Sequence, residues 1–260
     1  MRRVKTDPNV NDDLPEKMEL DEYTTLKTHQ AALYQKVINE AEKHLRKSKD
    51  MDRKGQIFKL LNSLKQVCNH PAHYLKEDSG DLQESGKTEL LTELLDKIFA
   101  RREKALIFTQ YVQMGKLLVD MLEEKYGFKP LFLHGSLTRK KRDKLIDKFQ
   151  NNSRSKVFIL SLRAGGVGLN LTSANHVIHY DLWWNPAVEN QATDRAFRIG
   201  QEKDVTSYRL ITEGTFEERI NEILNRKKKL ADMAVRTGEK WITELSDEEL
   251  HDLIKLDRQN

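Results

Sequence analysis

Between residues 105 and 210, short apolar runs alternate with helical patterns, and that alternation limits the fold more than any other feature of the chain. The runs "ALIF" (105–108), "LFLH" (131–134), "KVFIL" (156–160), "HVIHY" (176–180) and "VTSYRL" (205–210) are rich in Ile, Val and Phe. They are short and continuous, as strands buried on both faces should be. Segments 87–101, 111–125, 138–149 and 186–199 carry helical periodicity between them. Strand, helix and strand in succession make a crossover connection, which predicts an α/β fold: a mostly parallel sheet covered by helices on both faces. In such sheets ligands bind beyond the carboxyl ends of the strands, so the residues just after each run are the candidates for function.

The flanks read differently. Residues 1–15 are expected to be a tail or linker, and 16–85 a helical extension carried by "LKTHQAALYQKVINEAEKHL" and "GQIFKLLNSLKQVC". The polar patch "KEDSGDLQESG" closes that extension, 86–214 hold the alternating block, and 215–260 read as one long helix and a tail. Thr215 and Glu218 have the spacing of a capping box, and Phe216, Ile220, Ile223 and Leu230 follow at helical intervals. No apolar run approaches membrane-spanning length, and "MRRVKTDPNVNDD" lacks the apolar centre of a signal peptide, so no membrane partner is expected. A single cysteine excludes an intrachain disulfide and fits a reducing compartment. The net charge of +4 is modest, but positive residues clump at 101–104, 139–142 and 225–229. Such clumps can track a phosphate backbone or simply cover a solvated helix face.

Several segments invite a chemical reading. In "NPAVENQATDRAFRIGQ", Asn185 is a good N-cap, Pro186 suits the first helical position, Glu189 favours the helix dipole and Gly200 supplies a stop. A helix over 186–199 puts Gln191, Arg195 and Arg198 on one face, with Ala192, Ala196 and Ile199 on a neighbouring face able to be buried. The first face either holds an anion or is merely solvated. "LSLRAGGVGLNL" (160–171) follows an apolar strand, and its glycines would let backbone N–H groups approach an anion, unless the loop is only a turn. "DLWWNP" places two Trp at a strand end, where one can be core and the other can stack on a base or backbone. "GDLQESGKT" (80–88) imitates a P-loop, but five residues separate its glycines where four are needed, and no strand leads into it, so a helix start at Ser85 is expected. "SDEELH" (246–251) imitates a metal-holding Asp-Glu box and reads instead as a Ser246/Glu249 capping box. Cys68, His70 and His73 are too few and too isolated for a metal site, and packing at a helix end is expected of them.

The blocks "KALIFTQY", "LHGSLTRKKRDKLIDKF", "LSLRAGGVGLNLTSANHVIHYDLWWNP" and "QATDRAFRIGQ", in that order, resemble the Swi/Snf-type ATPases, double-stranded-DNA translocases of helicase superfamily two. "LPEKMELDEYTTLKTHQAALYQKVI", "LNSLKQVCNHPAHYL" and "TFEERINEILNRKKKLADMAV" extend the resemblance over about residues 14–235, and it is most specific over 156–201. It implies a C-terminal RecA-like lobe, preceded by a helical extension and followed by a brace helix, in a compact bacterial or archaeal member. It further implies ATP with Mg2+, the metal being held by an N-terminal RecA-like lobe of the same protein. Arg195 and Arg198 match the arginines that reach the nucleotide, with Arg198 as the arginine finger, and Gln191, Gly165 and Gly166 would line the same ATP site. Thr109, Gln110, Gly135, Ser136, Arg163 and Trp184 match positions that face the DNA backbone. The implied location is cytoplasmic and nucleoid-associated in a prokaryote, nuclear in a eukaryote. Rival readings are an RNA helicase lobe, a bacterial RNA-polymerase-recycling ATPase, and a non-catalytic nucleic-acid-binding scaffold. The "RIGQEKD" continuation differs from the Arg-rich one typical of RNA helicases.

Overall fold

The computed structural model describes residues 15–45, 50–161, 169–183, 185–230 and 245–257. Its strands are β1 Lys17–Thr24, β2 Ala105–Thr109, β3 Leu131–Leu133, β4 Val157–Ser161, β5 His176–His179 and β6 Val205–Thr212. They form one six-stranded sheet in the order β1-β6-β5-β2-β4-β3. β2 runs parallel to β4 and β5, β3 to β4, and β5 to β6. Val205 N–H bonds to the Glu16 carbonyl and Glu213 N–H to that of Thr24, which makes β1 parallel as well. The helices are α1 Thr28–Leu45, α2 Asp50–Asn69, α3 Pro71–Leu75, α4 Gly86–Ala100, α5 Val112–Tyr126, α6 Arg139–Asn151, α7 Pro186–Thr193, α8 Phe216–Leu230 and α9 Asp247–Ile254. The α/β class and all five strands read from the apolar runs are present.

β1 is the element that the sequence pattern missed, and it lies inside the stretch expected to be a helical extension. Its "KMELDEYT" sits at the sheet edge with Met18, Leu20 and Tyr23 exposed, so no buried face imprinted the alternation by which strands are recognised.

The chain divides into two compact units. The sheet unit comprises the described residues within 1–22, 93–180 and 187–209. On one face of the sheet Leu106, Phe108, Leu131, Leu133, Phe158 and Leu160 pack with Phe149 of α6 and with Ala192 and Ala196. The alternate residues point the other way. Phe132 there lies over Gly115 of α5, where a Cβ would come within 2.5 Å of the ring. Helices therefore cover both faces, and the central strands β2, β4 and β5 are buried along their whole length.

The helical unit comprises the described residues within 23–92, 181–186 and 210–260. Its core joins Tyr34, Ile38, Ile57, Leu61 and Leu64 of α1 and α2 to Phe216, Ile220, Leu250 and Leu253 of α8 and α9. Tyr34 is fully buried and its hydroxyl works both ways, donating to the Ile254 carbonyl at 3.0 Å and accepting from Phe216 N–H at 3.1 Å. The three imitations resolve here. Ser85 Oγ accepts from Lys87 N–H, starting α4 as expected. Lys87, the would-be phosphate lysine, is fully buried and bridges both carboxylate oxygens of Glu217, at 2.9 and 2.8 Å. Ser246 and Glu249 make both bonds of their capping box. His70 caps α3 by accepting from Ala72 N–H, and burial pushes the neighbouring Cys68 thiol well above its usual pKa, leaving it unreactive. The capping box expected at Thr215 takes another form: Thr215 Oγ1 accepts from Glu217 N–H, and Glu218 reaches back to Gly214 N–H at 2.7 Å. Gly214 has positive φ, which carries its amide one residue beyond the simple pattern.

A buried ion pair stripped of one partner leaves an uncompensated charge. Lys87→Met should therefore cost about 3–5 kcal/mol in a denaturant titration, and the double change Lys87→Met with Glu217→Leu should recover most of it. A single-variant loss below about 1 kcal/mol would refute this account of the pair.

Candidate functional site

The carboxyl ends of β2, β4 and β3 lie side by side, with Thr109 opposite Ser161 and Leu133 opposite Leu160. At about 4.8 Å per strand step, these ends form a rim about 10 Å across. Thr109 is buried, and its Oγ1 accepts from Tyr111 N–H at 3.2 Å, which shapes the turn into α5 and leaves Gln110 half-exposed. Beyond β3, Gly135 and Ser136 are exposed. Arg142 of α6 folds its guanidinium back to donate to the carbonyls of Gly135 and Leu137 at 2.8 and 2.9 Å. Ser136 Oγ bonds His134 Nδ1 at 2.8 Å. A Cβ at Gly135 would meet nothing within 4 Å, so the fold itself does not require glycine there. Ser161 ends β4 buried, its hydroxyl without a hydrogen-bond partner among the described residues. Arg163, Gly165, Gly166 and Trp184 lie outside the described residues. Trp183 is half-buried.

The helix expected over 186–199 ends at Thr193. The ladder lapses at Arg195 N–H, and further on two carbonyls that would serve Ile199 and Gly200 in a longer helix are engaged elsewhere. The Arg195 carbonyl accepts from Leu171 N–H at 2.9 Å. The Ala196 carbonyl accepts from Gln201 Nε2 at 3.1 Å. Residues 194–200 instead proceed as tight turns, with Arg195 N–H on the Ala192 carbonyl and Ala196 N–H on that of Thr193. Gln191, Arg195 and Arg198 consequently do not share one helical face. Gln191 is exposed on α7, Arg195 is 8% exposed in the turn, and Arg198 is exposed. The expected buried face also fails at its end: Ala192 and Ala196 are buried, but Ile199 is 81% exposed. The arginines are nevertheless brought to the glycine-rich loop's exit. Arg198 Nη1 donates to the Leu169 carbonyl at 3.2 Å, two residues from the Leu171 that Arg195 holds. Burial first, and then the charge of Arg198, lower the pKa of Arg195. Two guanidinium groups in this arrangement favour an anion between or beside them. Among the described residues, no group of three His, Cys, Asp or Glu could hold a metal ion, and no helix is long and apolar enough to cross a membrane.

Residues to which the sequence reading gave no role position this segment. The Gln201 amide is 5% exposed and donates to the carbonyls of Thr172 and Ala174 as well as Ala196, at 3.1, 2.8 and 3.1 Å. Its only sequence signal is its place after Gly200. Beneath α7, Thr193 Oγ1 donates to the Glu189 carbonyl, so it accepts from Ser207 Oγ and from His179 Nε2–H at 3.0 Å. Arg209 of β6 bonds Glu189 at 2.9 Å and Asp21 of β1 at 2.8 Å. Burial, helped by the charges of Arg209 and Lys17, lowers the His179 pKa to about 3, so the ring is neutral. These partners are far apart in sequence, and nothing in local spacing could have paired them.

The chain matches the helicase conserved C-terminal domain over residues 86–200 and the SNF2-related domain over residues 1–73. It is 50% identical over 258 residues to a putative ATP-dependent helicase/translocase of Bacillus subtilis, covering 98% of this chain and 28% of that protein. The chain spans about a quarter of the length of the curated relatives it matches. Among solved structures, it is 40% identical to a Sulfolobus solfataricus SWI2/SNF2 ATPase C-terminal domain, with a TM-score of 0.80, covering 94% of this chain and 100% of that one. It is also 41% identical to a Sulfolobus solfataricus SWI2/SNF2 ATPase core in complex with dsDNA, with a TM-score of 0.84, covering 99% of this chain and 54% of that one.

The neutral imidazole under α7 has a measurable signature. An unfolded chain binds a proton at His179 below about pH 6.5, whereas the folded chain resists it until about pH 3. Stability should therefore fall as pH drops through that window, by up to about 1.4 kcal/mol per pH unit for each such histidine. His73, also held at about 3 by burial and then by His70, adds a second. In His179→Gln the slope of unfolding free energy between about pH 6.5 and 5 should shrink by about one proton. An unchanged slope would contradict a neutral native His179.

Proposed function

This chain belongs to the SWI2/SNF2 ATPase family, and we propose on that footing that it forms the second motor lobe of an ATP-dependent double-stranded-DNA translocase. The observation that carries the reading is the junction of two distant segments, with Arg195 and Arg198 bonded to the backbone at Leu171 and Leu169. That junction sets a buried and an exposed arginine beside Leu169 and Leu171. Like charges so placed repel, and a polyphosphate relieves the repulsion. ATP, held with Mg2+ mainly by the N-terminal lobe of the same protein, supplies the chemical free energy. Arg198, with its side chain in solvent, is the arginine finger: its planar fork can follow charge onto the equatorial oxygens of the transferred phosphoryl group. Arg195 is the steadier, buried partner. The family resemblance assigns Gln191, Gly165 and Gly166 to the same ATP site.

The rim at β2, β4 and β3 is the DNA track, with Thr109, Gln110, Gly135 and Ser136 toward the backbone; the family resemblance adds Arg163 and Trp184 to the DNA-binding set. The open space around Gly135 supports this assignment, because a glycine unneeded by the fold leaves its amide approachable. The dsDNA-bound state of a similar core supports a duplex as the partner. Contacts of this kind grip phosphates without reading bases.

In the complete protein, Arg198→Ala should lower ATP turnover by about 10³-fold or more, the scale of an arginine finger. Melting temperature and duplex affinity should stay near the parent's, since an exposed guanidinium adds little stability. Arg198→Lys should be almost as damaging, and near-normal turnover in that variant would refute the finger. The 260-residue chain alone should not turn over ATP, and contaminant-free multiple turnover by it would overturn the half-motor reading.

A further inference from the structure

We propose that the lysine face of α6 is an additional phosphate-binding surface, gripping duplex DNA that flanks the strand-end track. The inference rests on the DNA reading above and extends it to residues to which that reading gave no role.

α6 carries three distinct stripes. At 100° per residue, Leu145, Phe149 and the inward-turned Arg142 share one arc, which faces the core. Asp143 and Asp147 share a second. Lys140, Lys141, Lys144 and Lys148 fall together in a third arc of about 100°, and all four are exposed.

A helix face that serves only solubility mixes signs, because opposite charges four residues apart stabilise the helix. Within the lysine arc the four-residue pairs Lys140–Lys144 and Lys144–Lys148 are like-charged, while Arg139–Asp143, Lys140–Asp143 and Lys144–Asp147 set opposite charges three or four residues apart across its border. The first turn carries no such offset. Arg139, Lys140 and Lys141 crowd the positive end of the helix dipole, and no acidic residue occupies that turn. None of the four lysines has an ion-pair partner among the described residues, whereas Lys17, Lys27, Lys125, Lys129, Lys203 and Lys255 each meet a carboxylate. Cations crowded at that helix end make sense if an external anion compensates them.

The place of the stripe identifies the anion. α6 begins directly after the Gly135–Ser136 loop, so the stripe starts at the rim assigned to DNA. At 1.5 Å per residue, Lys140 to Lys148 spans about 12 Å. One strand of a duplex presents about three or four phosphates over that length. The local potential is already positive: burial, and then the charges of Lys116 and Arg142, hold the His134 imidazole below its ordinary pKa.

The test is a salt titration of duplex binding by the 260-residue chain. Each phosphate neutralised contributes about 0.9 to the slope of log affinity against log salt. Changing Lys140, Lys141, Lys144 and Lys148 to Gln should therefore shrink the slope by about two to three and weaken binding on every sequence alike. The control changes the exposed Lys36, Lys43, Lys54 and Lys59 of α1 and α2 to Gln, an identical loss of charge on another unit. It should leave the slope near the parent's. Equal effects of both quadruple variants would reduce the surface to general electrostatics and overturn the inference. So would an α6 variant that keeps the parent slope, the outcome expected if the stripe serves an acidic protein segment. A parent chain that fails to bind duplex at any salt overturns the DNA reading itself, and this inference with it. Melting curves verify that both variants fold, since exposed Lys→Gln changes lie within about 0.5 kcal/mol of neutral.

Discussion

The carbonyl oxygens of Arg195 and Ala196 are withdrawn from the helix ladder by Leu171 N–H and the Gln201 amide, and the geometry of the site depends on that withdrawal. Had α7 continued through Ile199 and Gly200, their amides would have taken those oxygens, and Arg195 would have stood on a helix face with Arg198 nearly a turn further on. Ending the helix at Thr193 swings Arg195 inward and leaves Arg198 outward. One arginine is thereby buried, and the other, held at the Leu169 carbonyl, stays exposed. Preorganisation of the first and reach in the second are different physical demands, and a uniform helix would not meet both.

The sheet was legible because central parallel strands are buried on both faces and must be continuously apolar, as "ALIF", "KVFIL" and "HVIHY" are. β1 was not, because an exposed edge strand is under no such demand. The arginine segment was legible in content and illegible in shape. Caps, dipole and a terminal glycine all favoured a helix to Ile199, and each is a local signal. What competes with that extension is non-local: a partner 24 positions earlier in Leu171, and a glutamine amide that also reaches Thr172 and Ala174. Propensity is a weak prior when tertiary hydrogen bonds compete for the same carbonyls.

The P-loop lookalike illustrates the converse error that spacing avoids. A lysine in "SGKT" invites a phosphate, yet Lys87 spends its charge on Glu217 within the core of the helical unit. The one-residue excess between the glycines, together with the absence of a leading strand, separated these cases without any structure.

The scaffold under the arginines is built chiefly from neutral groups: the Gln201 amide, the Thr193 and Ser207 hydroxyls, an uncharged His179 and backbone carbonyls. Its ionic members are Arg209 with Glu189, a pair largely shielded from solvent, and the more exposed Asp21. Dissolved ions screen such contacts little, whereas they compete directly for exposed lysines and DNA phosphates. In the proposed motor, ionic strength therefore acts on the grip of this domain on DNA without loosening the frame that aims its arginines, so holding the track and positioning the nucleotide answer to different properties of the surrounding solution.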